Sequence, residues 1–397
     1  MGPGEKALRN AFRSVLAFAI LSFSTVPLVH AAPEARVPPE LSPLRRPPRL
    51  VWPRPRMPEM IAGWKSTSAM SAQRRQHSAT VLDDGRVLVA GGVNGDSFLA
   101  TAEIFDPATR AFSPVAPMSH ARAGHVAVLL DDGRVLVAGG ERARNKPVDD
   151  AEIFDPDTGA WSPAGRMRAA REGHEVALLP DGRVLVLGGY DGQRMLSLVD
   201  VFDPAAGAWA GAAPMSAPRT DFTATALPDG RVLVAAGASG ATRLAAAEIY
   251  DPDADRWTAT GPMKAKRDSH RAALLPDGGV LVAGGIVGTH AVATAERWDP
   301  ATNTWAPVGK MRDARIAHDI VPLPSGRLLA VGGSNDDESG LASTELFDPG
   351  TNRWTAGHAM QVGRDAPAVT VLDDGAVLVT GGWDPPSRWA SAETYRE

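Results

Sequence analysis

The stretch G-W-K-S-T-S-A-M, Gly63 to Met70, decides the fold. Farther along the chain the phrase D-G-R-V-L-V-A-G-G recurs with small changes. Its second glycine falls at Gly92, Gly140, Gly189, Gly237, Gly285, Gly333 and Gly382, in steps of 48 or 49 residues. An acid follows at Glu103, Glu152, Asp200, Glu248, Glu296, Glu345 and Glu393. A large aromatic comes next at Phe112, Trp161, Trp209, Trp257, Trp305 and Trp354, which is only six copies. The seventh aromatic is Trp64, 48 residues ahead of Phe112, and Met70 stands 48 ahead of Met118. GWKSTSAM is therefore the last strand of the seventh unit, carried at the front of the chain.

Each unit resolves into four strands, typified by GHVAVLL (a), RVLVAGG (b), AEIFDP (c) and GAWSPAG (d). Asp-Gly pairs such as Asp84–Gly85 mark tight a–b hairpins. The Asp-Pro of the c–d turn offers a side chain that bonds forward onto backbone amides. The b strands are apolar on both faces, as suits sheets packed between neighbours. Four-stranded units repeated about an axis predict an all-β, seven-bladed β-propeller. The N-terminal strand d closes it against the C-terminal blade, so that neither chain end leaves an open sheet edge. The aromatics of the repeat are assigned to structure, not to a ligand.

The double glycine, the acid-aromatic-Asp-Pro segment and the spaced tryptophan resemble the kelch-repeat family, over about Trp64 to Glu397. Departures fall at Ala236, where the first glycine is lost, at Phe112 and at Tyr395. The resemblance implies a binding scaffold working through the loops that join strands d to a and b to c. The alternative is a carbohydrate-active enzyme, similar to kelch-like propellers that isomerise acidic sugars. Copper-radical oxidases of the same resemblance need a tyrosine cross-linked to cysteine, and this chain of 397 residues has no cysteine. Intracellular kelch adaptors imply an extra N-terminal domain that the sequence does not show.

Residues 1–31 read as an export signal: Lys6, Arg9 and Arg13 precede an apolar run from Val15 to Val29, then small residues up to Ala31. Residues 32–60 are a Pro/Arg-rich spacer, and 61–397 form the propeller. The expected location is secreted, periplasmic or cell-envelope, with no transmembrane segment after cleavage. The absence of cysteine excludes disulfides, thiolate metal sites and cysteine nucleophiles. A formal net charge of −5 gives no global signal for nucleic acid, and the propeller reads as a monomer.

Diversity among the repeats lies in the b–c loops, where Tyr190 and Trp383 offer flat surfaces for a glycan. The d–a segments are regular. Arg74, Arg122, Arg171, Arg219, Arg267, Arg315 and Arg364 each lie 18 residues before the second glycine, and three positions later come His77, His125, His174, Phe222, His270, His318 and Pro367. A guanidinium ring would hold a carboxylate, sulfate or phosphate bidentately. The kelch resemblance implies instead that these residues tie blades together. The histidines come from five blades and lack the spacing of a metal site, so no metal and no cofactor is expected. Glu172, Asp221, Asp268 and Asp365 stand beside the arginines and are candidates for general acid–base work. The candidate partners are a protein, a glycan or a small anion at the loop face; an enzyme is the less favoured class.

Overall fold

The computed structural model describes residues 62–337 and 339–397. The expected export signal and spacer lie outside the described residues. Seven four-stranded antiparallel sheets form the blades of a propeller. In blade 3, for example, strand a is Glu175–Leu178, b is Val184–Leu187, c is Val199–Asp203 and d is Ala208–Ala212. The strands a touch one another in a closed ring, the seventh meeting the first, and so line a central channel. Among the described residues no helix is long and apolar enough to cross a membrane.

The ring closes on the opening stretch. Gly63–Ser66 pairs antiparallel with Ala392–Arg396, matching Trp64 to Tyr395 across the strands. Their rings lie 5.2 Å apart, as Phe154 and Trp161 lie 5.1 Å apart in blade 2. Trp64 Nε1 donates to the His358 carbonyl of blade 6 at 2.9 Å, and Trp161 Nε1 donates to Ala116 of blade 1 at 2.8 Å. The indoles of Trp209, Trp257 and Trp305 likewise fasten their blades to the previous one, whereas Trp354 Nε1 has no partner.

The hydrophobic core lies between blades. The b strands are wholly buried, and each apolar cluster mixes two adjacent units: Val126 and Val128 of blade 2 pack with Val184 and Val186 of blade 3. The a–b hairpin is a β-turn with glycine in the left-handed region, as at Gly85 with φ 81. In the c–d turn, Asp106 Oδ1 accepts the Ala108 amide at 2.8 Å. The double glycine has a steric reason. A Cβ on Gly92 would come within 2.8 Å of the Arg75 carbonyl oxygen and 2.9 Å of His77 Cβ. Ala236, standing where other blades carry the first glycine, takes a left-handed φ of 56.

Candidate functional site

The conserved-spacing arginines do not face the channel mouth. All seven are fully buried inside their own blades. Each Nη1 donates to the carbonyl ending strand b, at Gly91, Gly139, Gly188, Ala236, Gly284, Gly332 and Gly381, over 2.5–3.1 Å. Each Nη2 meets the strand c acid: Glu103, Glu152, Glu248, Glu296, Glu345 and Glu393 at 2.7–3.0 Å, and Asp200 in blade 3. A ring of guanidiniums open to an anion, one of the two readings of these arginines from the sequence, is therefore not the arrangement; they bond within the fold, as the other reading has it. Binding an anion there would break seven buried ion pairs, and a carboxylate left unpaired inside a protein is costly.

The histidines are buried at the blade interfaces. His125 Nε2 meets Ser78 Oγ of blade 1 at 3.0 Å, and His270 Nε2 meets Thr223 Oγ1 of blade 4 at 3.1 Å. His174 reaches the Ala138 carbonyl at 3.3 Å, and His77 reaches Thr380 at 2.7 Å. His318 is equally buried, with neither ring nitrogen hydrogen-bonded. Burial first, and the adjacent arginine second, hold these imidazoles neutral, His125 down at about 3.

What does gather at the loop face is carboxyls. The residue after each arginine bridges to the first residue of the b–c loop, as Glu172 does to Tyr190, Asp268 to Ile286 and Asp365 to Trp383. Residues one further on encircle the channel as a neck. The Gly124 amide donates to Gln76, that of Asp221 to Gly173 and that of Ser269 to Asp221, at 2.9–3.2 Å. Three of the four acids singled out by sequence meet here. Asp221 is buried, and its carboxyl is pushed well above the usual range by burial, then by Asp268 and Glu172. Glu172 is pushed up to about 8 by burial and by Glu141 of the blade 2 loop, with which it shares a hydrogen bond. Asp268 rises to about 6 through burial, opposed by Arg243 Nε at 2.7 Å from Oδ2. Asp365 stands apart, accepting from Ser334 Oγ at 2.8 Å and lying 3.8 Å from Arg75.

Tyr190 and Trp383 are both half-buried at the rim. Trp383 carries the Arg75 guanidinium 4.8 Å above its ring. One further group, His120 with Asp150 and Glu152, has the ligand types of a metal site. Arg122 already occupies Asp150 at 2.8 Å and Glu152 at 2.9 Å, and Arg142 sits on Asp150 at 2.8 Å, so a cation would have to displace two guanidiniums.

Sequence reasoning passed over three charged residues deeper in the channel: Glu175, Arg271 and Asp319, each the first residue of its strand a. All are at least nine-tenths buried. The signal was available. Where most units place a small or apolar residue after the histidine slot, blades 3, 5 and 6 place a charge.

The model of the Kelch motif matches residues 74–119, 269–312 and 324–361, and that of the KLHDC2/KLHL20/DRC7 kelch-repeats domain matches 116–285. The chain is a kelch-repeat β-propeller. This kelch propeller resembles a fungal alcohol oxidase of the AA5 family, solved in complex with copper, with a TM-score of 0.70. The two are 18% identical, over 85% of this chain and 76% of that one. It also resembles the structure of YjhT, with a TM-score of 0.58 and 15% identity over 74% of this chain and 99% of that one. At such identities the likeness concerns the fold alone. No curated protein matches the sequence. The kelch propeller is a generic interaction scaffold, rigid in its blades and variable in its b–c loops.

Proposed function

We propose that the protein is an exported binding scaffold whose loop face, centred on the channel mouth, holds its ligand or protein partner. One observation carries this reading: Glu172, Asp221 and Asp268 come from three blades and meet at that mouth as carboxyls pushed upward by burial. Grouping like charges in a low-dielectric neck works against folding and is found where function needs it. The mouth favours hydrogen-bonding and cationic groups over the free anion suggested by the arginine ring.

The test compares faces. Glu172→Gln with Tyr190→Ala on the loop face should abolish partner capture from the cell envelope and any ligand-induced rise in the unfolding midpoint. Asp132→Asn with Asp181→Asn, in the a–b turns of the opposite face, should leave both unchanged. If the two pairs behave alike, the loop face is not the binding face.

A second reading draws on Glu172 alone. A carboxyl near 8, hydrogen-bonded to Glu141, is protonated at neutral pH and suits a general acid acting on a sugar. Turnover of acidic or neutral sugars that disappears in Glu172→Gln would support it, and no turnover by the unmodified protein would end it.

A further inference from the structure

The residue that opens strand a has a fixed duty in blades 1 and 4. Ser78 and Thr223 each offer a hydroxyl to the histidine of the next blade, at 3.0 Å and 3.1 Å. The same post is held by Glu175 before Phe222, by Arg271 before His318, and by Asp319 before Pro367. The two units that lack the histidine are thus the two that follow an acid at this post. Glu175 and Asp319 have no imidazole to pair with, and Arg271 faces one whose nitrogens both stay unbonded.

These three charges belong to blades 3, 5 and 6, yet each acid feels Arg271, and Glu175 feels Asp319. Glu175 reaches the other two only across the channel. Among the described residues none of the three forms an ion pair with another. Arg271 and Asp319 leave their bonding unfinished where bulk solvent barely reaches. Arg271 spends Nη1 on the His270 carbonyl at 3.2 Å, while Nε and Nη2 have no partner. Asp319 Oδ1 accepts the Ile320 amide at 2.8 Å, while Oδ2 has none. Arg271 is 6% exposed and Asp319 4%. Asp221, in the neck, lies within the field of Arg271 and Glu175. Beside Gln76, Asp221 and Ser269, the other four neck residues are small: Gly124, Gly173, Ala317 and Ala366 all take left-handed backbone there, and a Cβ on Gly124 would meet nothing within 4 Å.

A buried channel walled by a half-bonded guanidinium on one side and by carboxyl groups on the other selects its occupant by charge. An anion would satisfy Arg271 but find only protonated acids opposite, and a simple cation would ionise the acids but leave Arg271 half-bonded. A molecule carrying both charges a few bonds apart satisfies both walls, the guanidinium fork taking a carboxylate with two parallel bonds. We propose that the channel beneath the neck binds a small zwitterion of the α-amino-acid class, its carboxylate on Arg271 and its ammonium among Asp319, Glu175 and Asp221. The inference rests on the loop face being the binding face, since the ligand enters through the neck.

The experiment is calorimetric titration of the mature, full-length protein with the free amino acids, glycine among them, with acetate and methylammonium as half-ligands. At least one amino acid should bind with one-to-one stoichiometry and at least tenfold more tightly than either half-ligand. Arg271→Met should weaken it at least tenfold, and Asp319→Asn similarly, in samples whose circular dichroism matches the parent. Should a variant fail to fold, the comparison with half-ligands on the unmodified protein still decides. The proposal is overturned if no amino acid binds. It is equally overturned if acetate or methylammonium binds as tightly as the amino acids. Partner capture that still depends on Glu172 and Tyr190 in those cases would show that the zwitterion site fails while the loop-face reading stands.

Discussion

Nε2 of His125 lies 3.0 Å from Oγ of Ser78, one blade back, and this single contact explains how the propeller treats its channel charges. A neutral imidazole donates or accepts once toward a hydroxyl and closes the interface without charge. Where the histidine is replaced, at Phe222 and Pro367, the preceding blade carries Glu175 or Asp319, and the interface can no longer neutralise what it buries.

The first prediction concerns pH. Burial, opposed by Arg271, pushes Glu175 up to about 8 and Asp319 up to about 7. The native state therefore binds more protons than the unfolded chain between the ordinary carboxylate range and about pH 8, so stability falls as pH rises through that window. The buried histidines act oppositely. Their folded values lie below 6.5, so they add a rise in stability with pH that is half complete at about 6.5 and essentially over by about pH 7.5. Above that point the acids act alone. Urea unfolding should show stability declining from about pH 7.5 to about 8.5, and Glu175→Gln with Asp319→Asn should make the decline shallower. A parent protein that gains stability across this interval contradicts the assignment.

A second prediction tests the arginines as structure. Glu296→Ala leaves Arg267 buried and unpaired and removes the acceptor for the Lys264 and Ala265 amides, at a cost of about 3–5 kcal/mol. Glu296→Gln keeps an acceptor for one amide and should cost clearly less. Equilibrium denaturation of both variants, with sulfate present and absent, also addresses the anion question: sulfate should rescue neither.

Third, removing residues 1–67 strips strand Gly63–Ser66 from Ala392–Arg396 and leaves that strand as an open edge beside Tyr395. Exposed edges pair with other chains. The truncated protein should elute as oligomers on size exclusion and unfold at a lower temperature, while supplying the missing strand as a peptide should partly restore the monomer.

Fourth, Ala236 adopts a left-handed φ of 56 where six blades have glycine. A left-handed alanine costs about 1–2 kcal/mol, partly offset by the greater freedom of glycine in the unfolded chain. Ala236→Gly should therefore stabilise the protein by about 0.5–1 kcal/mol, read as a shift in denaturant midpoint without a change in slope.

The local pattern made much of this molecule legible. A turn is written in neighbouring residues, so Asp84–Gly85 and the Asp-Pro of each c–d turn could be placed from sequence alone. The missing seventh aromatic likewise pointed to Trp64, because a repeat must be complete to bury its sheet faces. The arginines were harder. Their regularity marked them, but regularity is shared by a ligand ring and by a scaffold bond, and only the 2.7–3.0 Å contacts to the strand c glutamates separate the two. Irregular residues posed the opposite difficulty. Glu175, Arg271 and Asp319 break the repeat in three blades, and nothing along the chain says that such breaks face one another.

The amino-acid sequence by itself determined the number of blades, the order of strands within each and the joining of the two ends. All three follow from spacing and from the need to cover apolar strands. Tertiary structure alone decided which charges share a space. Closing seven units into a ring buries the repeated arginines within blades and turns residues nearly 150 positions apart toward one channel, where low dielectric makes their unfinished bonds matter.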